Sequence, residues 1–545
     1  MHSRRPPLPP ARTSRRDRTA PTTSPARTAR IAGALLAATS LLVSACSAST
    51  GSATTTTKAA EAVLAALPRS TPGTLSPYYG QKLSWRTCGV PGFECATMKA
   101  PLDYDRPAGG DIRLAVARKK ATGKGKPLGS LMVNPGGPGG SAVGYLQQYA
   151  GVGYPAEVRA RYDMVAMDPR GVARSEPVAC LDGRDMDTYT QTDTTPDNRK
   201  EITGLVAEDK KFAASCGAHS AKLLRHVSTV EAARDMDILR AVLGDRRLAY
   251  VGASYGTFLG ATYAGLFPDR VGRVVLDGAM DPSLPARRMN LDQTAGFETA
   301  FQSFARDCVR QTDCPLGGRG TTPGRVGTNL KAFFRELDAH PIATGDADGR
   351  RLGEALATTG VIAAMYDQST WPRLREALTS AMREKDGAGL LVLSDSYYER
   401  NADGRYSNLM SANAAVNCLD LPPAFTSTDQ VEKSLPAFEK ASPVFGEGLA
   451  WASLGCAYWP VRATGEPHRI EAKGAAPIMV VGTTRDPATP YRWAQSLARQ
   501  LTSARLLTYA GDGHTAYGRG SRCIDSAIDT YLLRGTPPPQ GKRCS

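Results

Sequence analysis

Ser254 stands between two glycines in Gly252-Ala253-Ser254-Tyr255-Gly256, directly after the apolar run Leu248-Ala249-Tyr250-Val251 and before a helix-compatible stretch. A serine hydroxyl is a poor nucleophile at neutral pH, so it needs a base within hydrogen-bond reach, itself oriented by a carboxylate. The chain has six histidines. Of these, His514 lies in the flexible run Gly511-Asp512-Gly513-His514-Thr515 near the C-terminus, just after an apolar segment. Asp486 falls between serine and histidine, in a Gly- and Pro-rich turn that follows another apolar segment. The chemistry this set would perform is acyl transfer: Ser254 attacks a carbonyl carbon, His514 carries the proton and Asp486 orients the ring. Gly-x-Ser-x-Gly alone is a weak signal, and the order serine, acid, base, each after a strand, gives it weight.

An acyl-transfer site also needs backbone N–H groups where negative charge develops. The run Asn134-Pro135-Gly136-Gly137-Pro138-Gly139-Gly140-Ser141 follows an early apolar segment, and its glycines let the main chain approach a substrate closely. The N–H groups of Gly137 and Tyr255 are the expected oxyanion donors. His219, His226, His340 and His468 lie outside loops of this kind and read as surface or capping residues, and His2 belongs to the leader.

These residues require elements to hold them. From about residue 84 short apolar strands alternate with helical segments, the signature of a mostly parallel sheet covered on both faces. Candidate strands are 112–117, 130–134, 164–168, 248–252, 274–277, 478–482 and 506–509. A helix over 230–243 carries apolar residues at Ala233, Met236, Ile238, Leu239 and Val242, a period that fits packing beneath the serine strand. Between 281 and about 475 the alternation stops and the text becomes mainly helical. About 200 residues then separate two neighbouring strands, far more than a connection needs, which implies an inserted cap.

The first thirty residues carry eight Arg and one acidic residue, followed by an apolar stretch over 31–43 too short to span a bilayer. Leu42-Val43-Ser44-Ala45-Cys46 then resembles a bacterial lipobox, with Cys46 as the lipidated first residue of the mature chain. The following segment, rich in Ser, Thr, Ala and Gly, reads as a tether. The expected division is a signal over 1–45, a tether over 46–80, core over 81–281, cap over 282–475 and core again over 476–545. Of the formal charge of +15, eight Arg less Asp17 put +7 in the leader and leave +8, with no basic cluster interleaved by aromatics, so nucleic acid is not an expected partner.

Setting Cys46 aside leaves ten cysteines, an even number that suits an oxidising compartment. Connectivity is not fixed by sequence. Paired as neighbours they give Cys88 with Cys95, Cys180 with Cys216, Cys308 with Cys314, Cys418 with Cys456 and Cys523 with Cys544. No close Cys/His spacing of the zinc kind occurs, and acyl transfer by this route calls for no cofactor.

Pro135-Gly136-Gly137-Pro138-Gly139 resembles the Gly-Gly-Pro-Gly loop of proline iminopeptidase-like serine peptidases. Asp168-Pro169-Arg170-Gly171-Val172-Ala173-Arg174-Ser175 resembles their Asp-x-Arg-Gly-x-Gly-x-Ser segment, with Ala173 in place of a glycine. With the Ser254 motif, Asp486, Gly513-His514-Thr515-Ala516 and the segment Ala415-Val416-Asn417-Cys418-Leu419-Asp420, the stretch 85–544 is similar to the secreted tripeptidyl aminopeptidases of actinobacteria. The resemblance implies an α/β-hydrolase fold with a large helical cap, and release of short peptides from free N-termini. Such an enzyme must hold a protonated amine, for which Asp420 is the candidate carboxylate. It also implies peptide or protein N-termini as substrate; the lipobox-like segment adds an expected place on the outer face of the cell membrane, anchored through Cys46, with release as the alternative. The rival readings are a carboxylesterase or lipase on the same scaffold, and a non-catalytic peptide-binding lipoprotein.

Overall fold

Parallel strands covered on both faces must be apolar along their whole length, and the short aliphatic runs of this chain meet that requirement. The computed structural model describes residues 61–545. The strands are β1 (Arg86–Thr87), β2 (Glu94–Pro101), β3 (Asp111–Lys119), β4 (Ser130–Asn134), β5 (Asp163–Met167), β6 (Leu248–Ala253), β7 (Val271–Asp277), β8 (Ile478–Arg485), β9 (Ala504–Asp512) and β10 (Lys542–Cys544). They form one sheet in the order β1-β2-β3-β5-β4-β6-β7-β8-β9-β10. β1, β2, β3 and β5 pair antiparallel, and every pairing from β5 through β4 to β10 is parallel. All seven expected strands are present.

Register decides what the sheet can position. Asn134 lies opposite Gly252, Ala253 opposite Asp277, Asp277 opposite Val481, and Arg485 opposite Asp512. The C-terminal ends of β4, β6, β7, β8 and β9 therefore stand in one row, at the edge where open parallel sheets carry their sites. Helix Thr229–Val242 begins with Ser228 Oγ accepting from Glu231 N at 3.2 Å, while Ser228 Oγ donates back to Glu231 Oε2 at 3.1 Å. With Tyr255–Leu266 it covers one face of the sheet, burying Met236, Leu239 and Leu259 against Tyr250 and Leu276. On the other face Ile524 and Ile528 of helix Arg522–Arg534 pack on Val251 and Val275.

Between β7 and β8 the chain is helical, including Ala286–Cys308, Pro323–Ala339, Glu354–Met365 and Ala388–Tyr398. These helices share an apolar cluster of their own, with Phe301, Phe304, Leu330, Phe334, Leu356 and Trp371 at its centre. A second excursion, between β5 and helix Thr229–Val242, holds Gly183–Thr190 and Arg199–Ser220 and is tied by the Cys180–Cys216 disulfide. The cysteines join in all five neighbouring pairs, Cys88–Cys95, Cys180–Cys216, Cys308–Cys314, Cys418–Cys456 and Cys523–Cys544.

One expectation is corrected. The tether does not run to residue 80: Leu64 N donates to Arg469 O at 2.9 Å and Leu67 N to Leu266 O at 2.9 Å. Leu75 and Tyr78 are buried in the main core. Sparse apolar side chains suffice here because the backbone itself is hydrogen-bonded to the body. Cys46 lies outside the described residues. No helix among the described residues is long and apolar enough to cross a membrane.

Candidate active site

At the end of β6 the chain turns into helix Tyr255–Leu266 through Ser254, whose φ of 57° and ψ of −125° are strained for a residue with a side chain. Backbone bonds hold the strain: Ser254 N donates to Asp277 O at 2.9 Å, and Ser254 O accepts from Thr257 N at 2.8 Å. The flanking glycines are required by packing. A Cβ on Gly252 would lie 2.3 Å from Gly256 O, and one on Gly256 would lie 2.8 Å from Asn134 O. Although Ser254 occupies the N-cap position, its Oγ makes no capping bond, so the hydroxyl is left for other work.

β8 and β9 deliver the acid and the base. Asp486 Oδ1 and Oδ2 lie 2.9 and 3.0 Å from His514 Nδ1. The carboxylate also accepts from Ala488 N, Thr489 N, Thr489 Oγ1 and Thr515 N at 2.8 to 3.2 Å, so it cannot swing away. With Nδ1 donating to Asp486, the lone pair of His514 resides on Nε2, which is buried and has no hydrogen-bond partner among the described residues. His514 and Ser254 both lie against one short backbone stretch. Ser254 N bonds Asp277 O, and a Cβ on the next residue, Gly278, would lie 3.3 Å from His514 Cε1.

Three residues that sequence reasoning did not single out hold the histidine loop. Asp277, at the end of β7, accepts from Ala516 N and Tyr517 N at 2.9 to 3.0 Å. Burial pushes its pKa up, and those N–H groups pull it back. Tyr366, from the helical insertion, packs edge-on against the His514 ring with centroids 5.4 Å apart and accepts from His514 N at 2.8 Å. Arg519 Nη1 donates to His514 O at 2.8 Å while Arg519 Nη2 reaches Asp367 at 2.9 Å. The position of Asp277 at a strand end was the one signal available in the sequence.

The glycine-rich loop after β4 lies directly on the turn at Ser254. A Cβ on Gly136 would come within 2.9 Å of both Ser254 Cβ and Tyr255 N. Gly136 N donates to Asn134 Oδ1 at 2.9 Å. Asp168 fixes the far end of the loop by accepting from Ser141 Oγ at 2.8 Å and Val143 N at 2.9 Å. Arg170 in the same segment is buried and paired with Asp235 through two bonds of 2.7 Å. Ala173 adopts φ of 46°, so the turn expected of a glycine forms here with alanine, held by Asn408 Oδ1 at 2.8 Å. Tyr255 N, in the first turn of its helix, has no intrahelical acceptor.

Ser254, Gly137 and Thr489 open onto a cavity of about 390 Å³, within the ~300–1,000 Å³ usual for small-ligand sites. The insertion contributes Met289, Gln293, Tyr366 and Asn413 to its wall, and the excursion before β6 contributes Tyr189, Asp209 and Phe212. Asp420 is placed elsewhere. It is buried, and its carboxylate accepts from Thr229 N at 2.8 Å and from Thr229 Oγ1, bridging helix Leu409–Asp420 to the start of helix Thr229–Val242. Burial pushes its pKa up to about 7. The amine-binding role expected of Asp420 is a poor match to this position, because it lies off the cavity and its oxygens are already taken. The remaining described histidines are away from the cavity, with His226 beside Glu231 at 3.3 Å and His468 beside Glu466 O at 2.7 Å.

Set beside known proteins, residues 442–544 match the family described as TAP-like protein. Serine protease Hip1 of Mycobacterium tuberculosis (strain ATCC 25618 / H37Rv) is 38% identical over 488 residues, covering 86% of this chain and 92% of that protein. Carboxylesterase B of the same strain is 38% identical over 492 residues, 87% of this chain and 92% of the other. Tripeptidyl aminopeptidase of Streptomyces coelicolor (strain ATCC BAA-471 / A3(2) / M145) is 30% identical over 484 residues, 85% of this chain and 86% of the other.

Proposed function

Because this chain belongs to the tripeptidyl aminopeptidase-like family of serine peptidases on the α/β-hydrolase fold, we propose that it is an exported exopeptidase, with Ser254, His514 and Asp486 as its catalytic set. It releases short peptides, of tripeptide size, from free N-termini. The observation that carries the reading is the state of His514: Nδ1 is fixed on a saturated Asp486, Nε2 is buried with no hydrogen-bond partner among the described residues, and Thr489, which bonds Asp486, lines the cavity onto which Ser254 opens.

In this reading Nε2 takes the Ser254 proton as Oγ attacks the scissile carbonyl carbon. The oxyanion accepts from Gly137 N and Tyr255 N. His514 then returns the proton to the leaving amine, the acyl-enzyme forms, and water repeats the sequence to release the peptide acid. Export is supported by five disulfides, which persist in oxidising compartments. Anchoring on the outer face of the membrane would rest on Cys46.

The test uses a free-amine tripeptidyl anilide, its N-acetylated twin and a short-chain ester, each with the mature protein and with Ser254→Ala. Hydrolysis of the free-amine anilide alone, lost in the variant, is the expected result. A second reading, ester hydrolysis, is favoured by the likeness to a protein named Carboxylesterase B. Turnover confined to the ester would establish it and overturn the peptidase reading.

A further inference from the structure

We propose that Asp209 is the subsite that binds the protonated N-terminal amine of the peptide. This rests on the exopeptidase reading and names the residue that would give it N-terminal specificity. Asp209 is half-buried on helix Arg199–Ser220, outside the helical insertion, and lines the same cavity as Ser254. Among the described residues that line this cavity it is the only one with a formal charge.

Its surroundings leave that charge uncompensated. The one hydrogen bond it receives among the described residues is a long one, 3.5 Å, from Tyr189 Oη. The neighbouring cations of its own helix are engaged elsewhere: Lys210 sits over the Tyr458 ring at 5.2 Å, and Lys211 pairs with Asp185 at 2.6 Å. Burial pushes the Asp209 pKa up to about 6, so at neutral pH it is ionised and ready to accept a cation. A carboxylate in this setting is stabilised by an ammonium that donates to it inside the cavity.

The adjoining wall suits the first residue of a peptide. Tyr189 stacks on Phe212 with centroids 4.7 Å apart, and Phe212 lies 6.4 Å from Trp459, giving an aromatic surface beside the carboxylate that favours both an apolar side chain and a cation. Disulfides fix this wall, since Cys216 ties the Asp209 helix to Cys180, and Cys456 stands next to Trp459 in the cavity lining. An amine held at Asp209 and a carbonyl held at Ser254 would make the cavity a ruler. Chain reach is about 3.3–3.6 Å per residue, so the distance between the two groups would set how many residues leave.

The experiment compares a free-amine tripeptidyl anilide with its des-amino twin, in wild type and in Asp209→Asn, with active sites counted by fluorophosphonate labelling of Ser254. Wild type is expected to prefer the free amine. In Asp209→Asn the ratio of kcat/KM values for the two substrates should fall roughly 10- to 100-fold, the worth of one charge-assisted hydrogen bond, with the loss in KM for the free amine. Asp209→Glu, which keeps the charge, should retain most of the preference. If Asp209→Asn keeps the wild-type ratio, the amine is bound elsewhere and the proposal is overturned while the exopeptidase reading stands. If wild type shows no preference for the free amine, the exopeptidase reading fails and takes the proposal with it. Should Asp209→Asn not label with the fluorophosphonate, Asp209→Ser carries the same comparison.

Discussion

Asp486 accepts from four donors besides His514, and in the proposed reaction this saturation suits it to orient the ring rather than to carry a proton. An asparagine there, its one oxygen held by the Ala488 and Thr489 N–H groups, would present its amide N–H₂ to His514 Nδ1 and favour the tautomer with its proton on Nε2, which cannot act as base. Asp486→Asn should therefore lower kcat by roughly 10³- to 10⁴-fold while leaving KM within a few-fold, measured on active-site-titrated enzyme. Activity within tenfold of wild type would remove Asp486 from the catalytic set. Ser254, Asp486 and His514 were legible in the sequence because each follows a strand, in the chain order such sites use. Asp209 was not, because Glu208-Asp209-Lys210-Lys211 reads as a charge run on a solvated helix face. Only tertiary packing shows that one of the four turns into a cavity. Asp420 shows the converse: it sits in a segment shared with the resembled family, yet its carboxylate is used to begin a helix.

At the scale of elements, the central strands were readable because a buried parallel strand is a short apolar run, and β4, β6, β7 and β8 are little else. β1, of two residues, escaped notice, as did β2 and β10. β2 mixes Glu94, Thr97 and Lys99 into an antiparallel pairing exposed on one side, and β10 has three residues. No sequence period announces that helix Leu409–Asp420 joins three parts of the site: Asn413 Nδ2 donates to Pro138 O at 3.0 Å, Asp420 accepts from Thr229, and Cys418 is tied to Cys456. The Asp420 junction carries a pH dependence. Its pKa is about 7 in the folded chain and about 3.9 in an unfolded one, so between these values the native state holds a proton that the unfolded state has lost. The stability this contributes is fully present below about pH 4 and is lost as pH rises through 7. Asp420→Asn should flatten the fall of the thermal midpoint between about pH 4 and pH 7. An unchanged slope would show that the acid side of the profile comes from other raised carboxyls, such as Asp209 and Glu354.

The described residues form a sheet whose five parallel strand ends are roofed by two separate excursions, and the disulfides fall mainly on the roof and the edges rather than in the sheet centre. Two of them close the widest spacings, 36 residues for Cys180–Cys216 and 38 for Cys418–Cys456, and each anchors a helix that lines the cavity. In the chain-entropy account a loop of that length adds about 4 kcal/mol by restricting the unfolded chain. Large domains spread such a gain over a large unfolding entropy, so the double variant Cys418→Ser, Cys456→Ser should lower the thermal midpoint by only about 5 °C. Its effect on substrate should be larger in proportion. Cys418 and Cys456 both line the cavity, and freeing them loosens the helix whose Asn413 buttresses the glycine-rich loop. KM for the tripeptidyl anilide should rise several-fold, with fluorophosphonate labelling of Ser254 retained because the elbow is held by its bonds to Asp277 and Thr257, away from that disulfide. Addition of reductant to wild type should move both quantities the same way, and the double variant should respond less. A variant with wild-type KM and midpoint would mean that packing alone holds the roof, and would withdraw the disulfides as a reason for the chain to mature in an oxidising compartment.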